Sequence, residues 1–130
     1  MSRADDYLER ARTALDDLRA QINDLRVQAD LGSAEAKDRL QQGLEALRQL
    51  QQDARQRVEQ AQGATSDAWK QIAEQAEKAI DAAGDAFDRL VKDWESTTGA
   101  AASAARAGFD SFRAEWSRRR AEREQILEDS

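Results

Sequence analysis

Apolar residues recur three and four apart from one end of this chain to the other. That period belongs to one face of an α-helix and to no strand. In the first segment Leu8, Ala11, Leu15, Leu18, Ile22, Leu25 and Ala29 keep the heptad spacing without a miss. Charged residues such as Arg10, Asp17, Arg19 and Asp24 fill its other faces. After Leu31-Gly32-Ser33 the stripe resumes, slipped in phase, as Ala36, Leu40, Leu44, Leu47, Ala54, Val58 and Ala61. A third run carries Trp69, Ile72, Ala76, Ile80, Ala83, Phe87, Leu90 and Trp94. A fourth carries Ala101, Ala105, Phe109, Phe112, Trp116 and then Ile126 or Leu127. No proline stands anywhere in the 130 residues to end or kink these helices. The fold class expected is therefore all-α, in one domain over 1–130.

The breaks between segments set the topology. Gln62-Gly63-Ala64-Thr65-Ser66 is the strongest turn signal. Gly63 suits a left-handed helix end, Thr65 or Ser66 an N-cap, and Asp67 the positive end of the next helix dipole. Ser96-Thr97-Thr98-Gly99 is a second break, because β-branched residues beside a glycine disfavour a continuing helix. Gly32 is a weaker stop, costing about 1 kcal/mol against alanine in a helix interior. The expected elements are a helix over about 3–61 capped by Ser2 or Asp5, a turn at 62–66, a helix over about 67–97, a break at 97–99 and a helix over about 100–127. Gly63 lies near the middle, so the preferred architecture is a long antiparallel helical hairpin or coiled coil, with arms of about 90 Å at ~1.5 Å per residue. The alternative folds again at Gly32 and Gly99 into a four-helix bundle.

Composition narrows the chemistry. There is no cysteine and no histidine, which removes disulfides, thiolate ligands and the commonest general base. The glycines are isolated, and Glu-x-x-His and calcium-loop motifs are absent. No catalytic, metal-binding or cofactor-binding residue is singled out, and the expectation is a non-enzyme without cofactor. A net charge of −6 makes nucleic acid an unlikely partner. No run approaches the ~18 apolar residues of a membrane span, and the first residues lack the apolar core of a secretory signal. A cytoplasmic location is expected, with peripheral membrane association as the variant.

The second half carries six of the seven aromatic residues. It also repeats itself at an offset of 22: Ala86-Phe87-Asp88-Arg89-Leu90-Val91-Lys92-Asp93-Trp94 matches Gly108-Phe109-Asp110-Ser111-Phe112-Arg113-Ala114-Glu115-Trp116. Multiples of eleven keep an apolar stripe nearly straight along a helix. Residues 106–123 hold six arginines and three acids, a local +3.

Asp24-Leu25-Arg26-Val27-Gln28-Ala29-Asp30-Leu31-Gly32-Ser33-Ala34-Glu35-Ala36-Lys37, with Ala64-Thr65-Ser66-Asp67-Ala68-Trp69 and Gly84-Asp85-Ala86-Phe87, resembles a group of small bacterial coiled-coil proteins. In that group a Lys/Glu/Leu-rich first helix joins a second through a small-Ser-Gly-Asp-Ala-Trp-like junction; here Thr65 and Ser66 replace the usual small pair. The resemblance covers roughly residues 15–95, implies a helical hairpin, and brings no activity. The 22-residue period is also similar to exchangeable apolipoproteins and granule-coating phasins, without the proline punctuation of apolipoproteins.

The expected function is a helical interaction or scaffold protein, self-associating or binding a protein partner through the stripe of Leu8, Leu15, Leu18, Ile22, Leu25, Leu40, Leu44, Leu47, Val58, Trp69, Ile72, Ile80, Phe87, Leu90 and Trp94. The alternative is a peripheral amphipathic protein that lays residues 100–123 on anionic lipid or another apolar surface. Phe109, Phe112, Arg113, Trp116, Arg118, Arg119 and Arg120 would make that contact.

Overall fold

The computed structural model describes residues 2–98 and 103–129. Four helices follow one another: α1 (Arg3–Asp30), α2 (Ala34–Gln62), α3 (Trp69–Thr98) and α4 (Ser103–Glu128). The all-α class holds, with no strand among the described residues. No helix in that range is long and apolar enough to cross a membrane.

The continuous helix expected over 3–61 is not there; the chain folds back at Leu31-Gly32-Ser33, and the four-helix bundle replaces the long hairpin. The stop owes more to Ser33 than to Gly32. Ser33 has extended backbone, and its hydroxyl accepts from the Ala36 N–H at 3.2 Å. The Leu31 and Gly32 N–H groups close α1 by donating to the Val27 and Ala29 carbonyls. The slip in phase between the first two stripes marks this fold-back. Each stripe covers the other from within one chain, without the entropy lost on association. At the start of α1, Ser2 is the cap, accepting from the Asp5 N–H at 3.1 Å.

The second turn is longer than expected. Gly63 has right-handed helical backbone, not left-handed. A single turn at Thr65, accepting from the Ala68 and Trp69 N–H groups, delays α3 to Trp69. At its other end α3 runs through Thr98. The Ser96 and Thr97 hydroxyls donate to the Asp93 and Trp94 carbonyls three residues back, so these polar residues fit the last turn. The expected break at Gly99, the start of the last helix at 100 and Ala101 lie outside the described residues.

α2 packs on both α1 and α3, and most closely on α3. α4 sits opposite α2, in the groove between α1 and α3. The core has two centres. One gathers Leu18, Ile22, Leu25, Leu40, Leu44, Leu47, Phe87, Leu90, Trp94 and Phe109. The other gathers Tyr7, Leu8, Leu15, Val58, Ile80 and Leu127, with Trp69 and Ile72 half-buried beside them. Each fully buried Leu, Ile, Val or Phe contributes about 1.5–3 kcal/mol relative to exposure.

Two glycines permit close helix approaches. A Cβ on Gly43 would stand 2.5 Å from Leu90 Cδ1, and one on Gly84 would stand 2.6 Å from Trp116 Nε1. The aromatic repeat locks α3 to α4. Phe87 meets Phe109 and Phe112 edge-on with centroids 5.8 and 5.4 Å apart, and Trp94 meets Phe109 at 5.4 Å.

Candidate functional site

α4 is the helix the sequence marks for surface contact, and in the bundle it is a strap tied down along both edges. Along α3, Arg106 pairs with Glu95 at 3.7 Å, Arg113 with Asp88 at 2.6 Å and Arg120 with Asp81 at 3.1 Å. The arginines are seven residues apart, and so are the acids, read in the opposite direction. Such a heptad ladder admits one antiparallel register, since a slip of a turn would break every rung. Along α1, Arg119 pairs with Asp17 at 3.4 Å, and Glu122 accepts from Arg10. Arg118 pairs within α4, with Glu115 and Glu122. Hydrogen bonds from Arg118 and Arg119 hold the Glu115 carboxyl well below the usual range.

The candidate surface residues are therefore turned to other work in the closed bundle. Phe109 is buried, while Phe112 and Trp116 are half-buried and packed on the core. Arg113, Arg118, Arg119 and Arg120 all hold carboxylates.

A buried polar cluster lies under this strap. Arg123 of α4 is fully buried, and its Nε and one Nη grip the two oxygens of Glu77 at 2.9 and 3.2 Å. The Tyr7 hydroxyl of α1, also fully buried, lies 3.1 Å from both Glu77 Oε1 and the Ala73 carbonyl. The Arg123 guanidinium also lies over the Trp116 ring, 5.6 Å from its centroid, while its Nη1 has no hydrogen-bond partner. Burial, and then the neighbouring Glu77 charge, push the Tyr7 hydroxyl far above its usual pKa. The same two causes raise Asp81 to about 6, against the opposing pull of Arg120 and Arg123.

Sequence reasoning passed over this cluster, although a signal existed. Arg123 occupies the stripe position between Trp116 and Leu127, seven residues after the one and four before the other. A charge there has to be buried, and a buried charge needs a partner. Glu77 likewise falls between Ala73 and Ile80 on the buried face of α3.

The arrangement suits holding helices in register. Both Glu77 oxygens are engaged by Arg123 and Tyr7. Among the described residues, no group of three or more carboxylates is placed to hold a metal ion. No family model, no curated protein and no solved structure matches the chain.

Proposed function

We propose that the protein is a non-enzymatic helical interaction module whose working part is α4, exchanged between its own α1/α3 groove and the same groove of a second copy. The carrying observation is the heptad ladder from Arg106–Glu95 to Arg120–Asp81 laid over an aromatic stripe. That is the construction of a specific helix–helix interface, with apolar burial for affinity and charge for register. The leucine stripes of α1 and α2 are already covered within one chain, so self-association draws on the α3/α4 aromatic stripe and its ladder. Exchanging one element between identical copies reuses contacts that already fit. A cytoplasmic setting goes with this reading.

The test uses the absence of natural cysteine. Asp88→Cys and Arg113→Cys are prepared as separate proteins, mixed and oxidised. A disulfide-linked dimer of one with the other, forming faster at higher concentration, supports exchange. Cross-linking confined to a single chain carrying both substitutions, with none between the separate proteins, rules it out.

A second reading has its own support in the +3 charge of residues 106–123 flanking Phe109, Phe112 and Trp116. Released from the groove, that face suits an anionic lipid surface. Flotation on anionic vesicles with a change in tryptophan emission, lost on Trp116→Asp, would favour it.

A further inference from the structure

A second concentration of arginine lies on the far side of α1, away from the strap. α1 and α2 line an open polar cleft of about 710 Å³, with Arg19, Asn23 and Arg26 on one wall and Arg48, Gln52 and Arg55 on the other. Asp16 is its one carboxylate and is paired to Arg55. The cleft therefore carries a local +3 in a chain of net −6.

The register of α1 against α2 gives this composition its meaning. At the end of the helix pair nearest the second turn, the rungs are ion pairs, Arg12 with Glu59 at 2.9 Å and Asp16 with Arg55. Continued in steps of three and four residues, the same register sets Arg19 across from Gln52, and Asn23 across from Arg48. All four of those residues line the cleft. A carboxamide thus stands at both of these rungs where a carboxylate would complete the ladder; one step further the register sets Arg26 across from Glu45, with which it forms no ion pair. Among the described residues Arg19, Arg26 and Arg48 form no ion pair. In a chain with 26 acids to 20 bases, partners are not scarce; these guanidinia are left open.

We infer that the α1/α2 cleft is a binding site for an oligophosphate anion, held by Arg19, Arg26 and Arg48 with Asn23 and Gln52 as neutral donors. Guanidinium forks match phosphate oxygens two at a time, and such charge-assisted bonds are about twice as strong as neutral ones. Arg19 and Arg26 are seven residues apart, roughly 10 Å along the helix, which fits linked or closely spaced phosphates better than one. No aromatic side chain lines the cleft, so nothing is present to stack a base. The recognised chemistry is the phosphate groups themselves. This site is independent of the exchange of α4.

The experiment titrates tripolyphosphate into the full chain at constant ionic strength, read by calorimetry and by Tm. Saturable binding with a rise in Tm is expected, because a ligand held only by the folded state stabilises it. Arg19→Gln/Arg48→Gln should weaken binding by roughly tenfold or more, in line with the loss of two charge-assisted pairs. Arg89→Gln/Lys92→Gln, on an exposed face of α3, should bind as the parent does. Helix content by circular dichroism shows that both variants are folded. The inference is overturned if sodium chloride reproduces the Tm rise, if both variants lose binding equally, or if Arg19→Gln/Arg48→Gln binds as the parent does. It is also overturned if a single-stranded oligonucleotide binds through the same arginines more tightly than tripolyphosphate. A free oligophosphate and a phosphorylated lipid headgroup carry the same chemistry. Tripolyphosphate binding without flotation on vesicles carrying phosphorylated inositol lipid assigns the free form; flotation lost with Arg19→Gln/Arg48→Gln assigns the headgroup.

Discussion

The arginines of α4 and those of the α1/α2 cleft give their regions the same local charge, +3, by different means. On α4 all six, from Arg106 to Arg123, hold carboxylates, and four of those carboxylates belong to α3. In the cleft only Arg55 does so, through Asp16. Local charge therefore says little about what an arginine is for; what stands opposite decides it. A guanidinium facing a carboxylate fixes a helix in register. One facing an amide keeps its donors for something else.

The sharpest contrast between the regions concerns burial. Glu77→Ala would leave the Arg123 guanidinium buried and unpaired, a loss of about 3–5 kcal/mol. Glu77→Gln with Arg123→Met removes both charges and should lose far less, because no buried charge is left without its partner. Urea unfolding of both variants measures the difference. Equal losses would mean that the pair contributes packing and not charge.

Gly84→Ala tests the strap from its apolar side. The added methyl meets the Trp116 indole at atoms 2.6–2.9 Å away, a broad ring that has to be displaced as a unit. Overpacking of this kind costs about 1–3 kcal/mol. Tryptophan emission should shift with the stability, since Trp116 is driven toward solvent. Gly43→Ala meets one methyl of Leu90 and should cost less.

The pH dependence comes from Asp81. Its carboxyl keeps a proton up to about pH 6 in the fold, against about 3.9 in the unfolded chain. Folding takes up a proton between those values, so this group's contribution makes stability fall as pH rises through the window and stay at the lower level above it. Asp81→Asn should raise stability at pH 8 by on the order of 1 kcal/mol, allowing for the solvent that reaches the carboxylate. Near pH 4 the gain should vanish. Thermal melts of parent and variant at the two pH values check both statements.

How much of this was legible can be argued from a few residues. The stripe from Leu8 to Trp94 was, because a 3.6-residue period has one structural meaning, and every member ends buried or half-buried. The fold-back at 31–33 was legible only as an alternative. It turns on a single Ser33 cap and on covering one stripe with another, and the second of these is not a local signal. The α3/α4 ladder was present in the sequence as Asp81, Asp88 and Glu95 against Arg106, Arg113 and Arg120. Reading it required the antiparallel register, which only packing supplies. Local charge counting finds the arginine run of α4 and its neighbours Glu115, Glu122 and Glu124, but not the partners on α1 and α3, which are far away in sequence.

The smallest effect expected is also the most telling for the comparison. Without ligand, Arg19→Gln/Arg48→Gln should change stability by no more than roughly 0.5 kcal/mol, since neither side chain has an ion pair to lose. Any change should be a gain, because two mutually repelling charges are removed from one cleft. That gain should fade in 1 M salt, where screening acts within about 3 Å. Arg113→Gln/Arg120→Gln makes the same change of charge on α4, but removes two rungs of the ladder, worth about 0.2–1 kcal/mol each. It should destabilise, and increasingly so at low salt. Melts of the two double variants over a salt series would then slope in opposite directions. If they slope alike, both sets of arginines merely carry charge, and the distinction between paired and open guanidinia fails.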